Sequence, residues 1–417
     1  VWKEELFQEG VLAKFLRYVR FDTRAFEGQD TIPSSPGQLA LANRLRDELS
    51  MMGLEGARVD GNGFVTATLP GIVSHCPVIG FLAHMDTAPG VPGDGVRPIV
   101  HQEYRGGDIS LPSGQVIRQD ECKSLARVIG HTLVTSDGNT LLGADDKAGI
   151  AVIMEALCRL LRQKDMERGT IRVSFTPDEE IGAGIGKFKV EEFGADLAYT
   201  VDGGAVGEIE DENFNASNYR VLITGRSTHT GAARNAMINA LHRAGEFLGA
   251  IPATMRPETT DDLLGFIHPD SISGNVEKVE FKVLARDFTE EGLASKEAIL
   301  QSLCDDLMRR YPCASAAMEK SGGYRNMNVV LKKKPKIVRL AREAVKATGT
   351  EPVMRPVRGG TDGAHLTAMG LPTPNLFTGG VNFHSRVEWV SVQWMEKAVE
   401  TLVALCGLWA KETSAEE

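Results

Sequence analysis

Three short apolar runs in this chain each stop at residues able to bind a metal ion or move a proton. Run 78–83 stops at His84, run 170–175 leads through Thr176-Pro177-Asp178 to Glu179-Glu180, and run 197–201 stops at Asp202. Neutral imidazole and ionised carboxylate are suitable ligands for zinc. In His84-Met85-Asp86, His84 would take the metal while Asp86 accepts a hydrogen bond from its other ring nitrogen, fixing tautomer and aim. Glu179 and Glu180 are consecutive and cannot easily point the same way. They suit one ligand and one base better than two equivalent ligands. Taken singly, each motif has an ordinary alternative. Glu179-Glu180 fits a solvated loop, Asp202-Gly203-Gly204 fits a turn, and Asp145-Asp146-Lys147 fits a charged first helical turn favoured by the helix dipole. His384 is a lone histidine, of a kind more often structural than metal-binding.

The elements that must position these residues follow from the apolar pattern. Short continuous apolar runs are the mark of strands buried on both faces. In an open parallel sheet their carboxyl ends share one edge, where ligands bind. His84, Glu179, Glu180 and Asp202 would therefore converge although they are distant in sequence. Leu12, Phe15, Leu16 and Val19 predict an opening helix with one buried face. A second helix is expected between Ser35 as cap, Pro36 as first residue and Gly53 as stop, with Leu39, Ala42, Leu45, Leu49 and Met52 as its apolar stripe. Runs 57–60 and 64–69 read as strands joined by Gly61-Asn62-Gly63. A helix after Asp145 carries Ile150, Ile153, Met154 and Leu157 on its apolar face. Strands alternating with helices predict an α/β domain with a mostly parallel sheet.

After about residue 208 the order changes. Strands at 219–224, 264–267, 276–285 and 314–318, with helices at 232–248 and 293–310, give the β-α-β-β-α-β order of ferredoxin-like domains. Helix–strand alternation resumes near 330 and ends in an amphipathic helix at 392–408. The expectation is an α/β domain built from 1–207 and 326–417, interrupted by an inserted α+β ferredoxin-like domain at 208–325.

Composition narrows the function classes. The chain has 417 residues, 42% hydrophobic and 24% charged, and a formal charge of −10. That length exceeds what one core usually supports. The negative charge argues against nucleic-acid or anionic-membrane surfaces, which need a positive field. The basic run from Lys332 to Lys336 is interrupted by Pro335 and reads as an element boundary. Six cysteines at 76, 122, 158, 304, 313 and 406 form no CxxC pair, which removes a metal knuckle or redox motif and argues against a disulfide framework. No apolar run reaches the length of a membrane span, and Val1-Trp2-Lys3-Glu4-Glu5 lacks the features of a signal peptide. The cytoplasm is the expected compartment, although a start at Val leaves room for a trimmed segment.

Considered together and in order, the motifs are far more specific. Phe81-Leu82-Ala83-His84-Met85-Asp86-Thr87, Leu142-Gly143-Ala144-Asp145-Asp146-Lys147-Ala148-Gly149, Thr176-Pro177-Asp178-Glu179-Glu180-Ile181-Gly182 and Val201-Asp202-Gly203-Gly204 form a series. It continues in Arg358-Gly359-Gly360-Thr361-Asp362-Gly363, Asn375-Leu376-Phe377-Thr378-Gly379-Gly380 and Asn382-Phe383-His384, with Tyr104-Arg105-Gly106-Gly107-Asp108-Ile109 as a further match. Over its whole length the chain resembles the zinc peptidase and deacylase family that includes carboxypeptidase G and acetylornithine deacetylase.

The resemblance implies two zinc ions, although ligand type alone does not choose zinc over cobalt or manganese. It implies that Asp145 bridges them, that His84 and Asp202 complete one site, and that Glu180 and His384 complete the other. Glu179 matches the family's general base and Asp86 the partner of His84. In the inserted domain, which the family uses as a lid, Ser227-Thr228-His229-Thr230-Gly231 matches the place of a histidine that donates to the reaction oxyanion. Thr230 stands where the family usually has proline. Arg286 and Arg358 are candidates for gripping a substrate carboxylate, with structural ion pairs as the alternative. The implied function is a metal-dependent aminopeptidase acting on short peptides, tripeptides by subfamily likeness. Its rivals are a deacylase or carboxypeptidase of the same family and a non-catalytic peptide-binding protein. A homodimer is compatible with the sequence.

Overall fold

A computed structural model describes residues 3–412, so Val1 and Trp2 of the expected chain start lie outside the described residues. The apolar runs form the middle of an eight-stranded sheet. Its order is Glu55–Val59, Val65–Leu69, Ile171–Thr176, Ile79–His84, Leu197–Gly203, Asn375–Phe377, Glu208–Glu210, Val353–Met354. The four strands from Ile171–Thr176 to Asn375–Phe377 are parallel, and antiparallel partners flank them on both sides. Every residue of Ile79–His84 is buried, as its unbroken apolar pattern requires. Alternation decides which core each residue joins. Ile79, Phe81 and Ala83 enter the main core, while Leu82 faces a smaller cluster with Phe188, Phe193, Leu366 and Leu371.

The helix Ala144–Arg162 lies in the main core with Val11–Tyr18 and Val392–Lys411. Gly149 lets this helix approach the sheet closely. A Cβ there would sit 1.8 Å from the carbonyl oxygen of Val201 and 2.4 Å from Asp146 Oδ1. The helix Pro36–Met52 begins and ends as expected, with Gly53 in the left-handed region at φ 89. Two details differ. Ser35 makes no side-chain capping bond, and Leu39 is exposed while Leu41 takes the buried position. A small antiparallel sheet was not foreseen. It pairs Gly380–Val381, Trp389–Ser391, Leu133–Thr135 and Ile99–His101, and its strands are too short to show a period.

The chain divides into two compact units, one of 1–211, 329–355 and 361–417, the other of 212–328 and 356–360. Residues 356–360 therefore depart from the expected single return at 326. The second unit has one antiparallel sheet in the order Phe266–Gly274, Lys278–Asp287, Asn215–Thr224, Ser315–Gly322. Tyr219, Val221, Phe281 and Val283 of that sheet share a core with Phe247 and Leu300 of the helices Ala240–Ala250 and Glu290–Arg310. Its first helix starts eight residues later than the expected 232. A 3-10 turn occupies Thr230–Ala232, and the Asn239 side chain accepts the Leu241 N–H at 2.9 Å, capping the helix at that point. Among the described residues no helix is long and apolar enough to cross a membrane.

Candidate active site

His84 closes its strand in register with Thr176 of the neighbouring strand, so the loop carrying Glu179 and Glu180 leaves the sheet beside it. Asp202 is the penultimate residue of Leu197–Gly203 on the other flank. Asp145 comes from the start of Ala144–Arg162, and His384 from the loop between Gly380–Val381 and Trp389–Ser391. These residues form two clusters with one member in common: His84, Asp145 and Asp202, and Asp145, Glu180 and His384. Within each cluster the ligand-type atoms lie inside 4.8 Å of one another. Asp145 turns one oxygen to each, with Oδ1 2.8 Å from His84 Nε2 and Oδ2 2.9 Å from His384 Nε2. His84 Nε2 is also 3.5 Å from Asp202 Oδ1, and His384 Nε2 is 2.9 Å from Glu180 Oε2.

The donor set fits a pair of divalent cations. Glu180 Oε1 is buried with no hydrogen-bond partner, an arrangement that is costly for a carboxylate unless a cation faces it. Asp145, Asp202, Glu179 and Glu180 crowd together with only two imidazoles to offset them. Burial, with the charges of Asp145 and Glu180, pushes Asp202 up to about 7 despite His84. Burial, with Asp362, Asp202 and Glu180, lifts Glu179 well above the carboxylate range against the opposing pull of His84. For His84, burial favours the neutral ring, but Asp202, Asp145 and Asp86 override it and raise its proton affinity. Hydrogen bonds to Asp145 and Glu180 raise His384 to about 11. Asp145 goes the other way, because its bonds to the two histidines overcome burial.

A pH dependence follows. Asp202 and Glu388 rise to about 7 in the folded chain from ordinary values near 4. A raised carboxyl contributes stability below its unfolded pKa and loses it as pH climbs through the folded value. Metal-free protein should therefore melt at progressively lower temperature from pH 5 to pH 8. Metal binding must expel the proton of Asp202, so zinc affinity should rise over that window. Melting curves in chelator and zinc titrations at each pH check both directions, and a chelated Tm that climbs with pH contradicts the assignment.

The supporting contacts are mostly to backbone. The Asp86 carboxylate accepts the Glu179 N–H at Oδ1 and the Glu180 N–H at Oδ2, each at 3.0 Å. His84 Nδ1 lies nearer the Asp86 carbonyl oxygen, at 3.0 Å, than the carboxylate, at 3.5 Å. The expected carboxylate–imidazole pairing is thus secondary to the hold on the Glu179-Glu180 loop. Sequence reasoning missed several other supports. Asp146 Oδ2 accepts the His84 N–H at 3.2 Å, and Asn375 Oδ1 accepts the Asp202 N–H at 3.0 Å. Asp178, at φ 54, accepts the Ser34 N–H and Gln38 Nε2, both at 2.7 Å. Glu388 accepts the N–H groups of Leu142, Gly143 and Asp145. Its sequence signal is a charged residue inside the apolar run Val387-Glu388-Trp389-Val390.

In the second unit, His229 is exposed and accepts the Gly231 N–H at Nδ1, 3.1 Å away. The proton of the neutral ring then belongs on Nε2. Arg286 donates to Asn218 Oδ1 at 2.9 Å and lies over the Tyr324 ring. Arg358 corrects the expectation of a substrate clamp. Its guanidinium donates to the carbonyl oxygens of Asp262, Leu264 and Thr260 and to Thr260 Oγ1, and it stacks on Phe214 and Phe266. Those donors hold the 260–264 loop.

Paired acid–imidazole clusters at the carboxyl edge of a parallel sheet define a metal-dependent hydrolase. This chain belongs to peptidase family M20/M25/M40, whose family model matches residues 132–407. It is similar to peptidase T of Geobacillus thermodenitrificans, 44% identical over 410 residues, covering 98% of this chain and all of that one. Among solved structures, aminopeptidase PepT from Bacillus cereus matches with a TM-score of 0.76 at 24% identity, covering 97% of this chain and 99% of that one. The YxeP protein of Bacillus subtilis, described as a dinuclear metal-binding peptidase, matches at 0.63 and 16% identity, covering 95% and 98%.

Proposed function

We propose that this peptidase is an aminopeptidase that releases the N-terminal residue of short peptides, above all tripeptides, using two zinc ions. Likeness to peptidase T supports the substrate class. The observation that carries the two-ion reading is Asp145, which offers one oxygen to each cluster. His84 and Asp202 would hold one ion, Glu180 and His384 the other, with Asp145 common to both. When bound, two such ions polarise the scissile carbonyl and acidify the attacking water.

The chain's own residues do the rest. Glu179 belongs to neither cluster, which leaves its carboxylate to take the water's proton and return it to the leaving amine. Asp86 fixes the backbone from which Glu179 projects. His229, whose Nδ1 accepts the Gly231 N–H so that Nε2 carries the ring N–H, supplies a donor for the oxyanion, a contribution of about 3–4 kcal/mol in comparable sites. Arg286 grips the peptide's carboxylate end.

The test is turnover by zinc-loaded protein of peptides two, three and four residues long, with free and acetylated amino termini. Selective loss of tripeptides bearing a free amine is expected. Equal rates on free and blocked peptides would overturn the aminopeptidase reading, and preferred cleavage of N-acyl amino acids would replace it with a deacylase.

A further inference from the structure

We infer that Glu388 is a positioning residue for the metal centre, setting the affinity of both ions by clamping the backbone that carries Asp145. The inference rests on the two-ion reading above. Glu388 is 1% exposed, its hydrogen bonds are to backbone amides, and the buried Lys147 ammonium acts on it only through space. Oε2 accepts from Leu142 and Gly143, each at 2.8 Å, and Oε1 accepts from Asp145 at 3.0 Å. These amides cluster where the chain enters the helix Ala144–Arg162, after Gly143 at φ 82, and Asp145 itself departs from helical geometry. Helix propensity does not hold such a bend; one backbone bond, Lys147 N–H to the Gly143 carbonyl at 3.3 Å, spans it, and the carboxylate ties three of its amides.

Glu388 also has a rigid base. The next residue, Trp389, is fully buried and opens a strand paired with Leu133–Thr135. Four residues earlier, the same segment presents His384 at φ 58, in a loop tied by Ser385 Oγ donating to the Asn382 carbonyl oxygen at 2.6 Å. One stretch of chain thus supplies a ligand to the second cluster and fixes the ligand common to both.

The same device recurs. Asp146, beside Asp145, accepts the His84 amide, and Asp86, two residues past His84, accepts the Glu179 and Glu180 amides. Each ligand-bearing segment steadies the backbone of another. Glu388 begins this chain of supports, at the ligand on which both clusters depend.

Glu388→Gln keeps the shape but leaves one carbonyl oxygen, so an amide N–H must face either the Asp145 N–H or the Leu142 and Gly143 pair. Zinc binding is measured by competition with a chromogenic chelator. Both ions should bind about 10–100-fold more weakly than in the parent, with kcat restored by excess zinc. Glu155→Gln is the control. Glu155 lies in the same helix and pairs with buried Lys14 at 2.9 Å, away from every ligand. That variant should lose Tm and keep zinc affinity. Amide exchange of the metal-free proteins gives a second readout, with residues 142–145 losing protection in Glu388→Gln alone. Unchanged zinc affinity, or a loss no larger than in Glu155→Gln, overturns the proposal. Global loss of protection in Glu388→Gln also overturns it, since Glu388 would then serve the fold. A parent protein that binds no zinc would sink the two-ion reading instead, leaving amide protection at 142–145 to judge the clamp.

Discussion

Glutamine at position 179 should leave metal content intact and lower kcat by about 10²–10⁴-fold, the usual weight of a general acid–base. The substitution preserves volume and removes only the proton acceptor. Glu179 takes part in neither three-residue cluster, and its backbone N–H is held by Asp86 whatever the side chain. Little change in KM is expected, because proton transfer belongs to the transition state. Elemental analysis beside steady-state kinetics checks the result. Near-normal turnover with full metal content would exclude Glu179 as the base.

A larger effect on the centre is expected from Asp145→Asn. An asparagine has one carboxamide oxygen and must turn its NH2 toward the other histidine, so it cannot serve both clusters. Metal content should fall from two ions to one or none, and activity below that of Glu179→Gln. Asp202→Asn is the useful comparison. Asp202 belongs to one cluster only, so that variant should retain the Glu180–His384 ion. Mass spectrometry under native conditions counts the ions. Two ions retained by Asp145→Asn would rule out a shared ligand.

Much of this architecture was legible because the central strands are buried on both faces and so carry an unbroken apolar signal. Strand ends then predicted that His84, Glu179, Glu180 and Asp202 meet, and they do share one edge. Asp145 and His384 were harder. One precedes a helix in non-helical geometry and the other sits in a loop at positive φ, and neither setting leaves a periodic trace. Only family likeness singled them out. The carboxylates Asp146, Asp178 and Glu388 escaped notice for a different reason. Most of their partners are backbone amides, which every residue has and no motif displays. Arg358 misled because its acceptors are carbonyl groups more than ninety residues away in the chain. Leu39 and Leu41 show the limit of a single helical stripe, since a shift of two positions decided which was buried.

The strand Asn375–Phe377 lies inside the main sheet, between Leu197–Gly203 and Glu208–Glu210. Its neighbours are translated about 170 residues before it, on the order of ten to thirty seconds at typical elongation rates. Throughout that interval the growing sheet has a missing middle strand, and Asp202 lacks the Asn375 side chain that holds its amide. His84, Asp145 and Asp202 already exist on the ribosome-bound chain, whereas the cluster with His384 does not. The first cluster is thereby complete in ligand atoms long before it is complete in supports, since Asn375 and Glu388, which hold the amides of Asp202 and Asp145, are both made late.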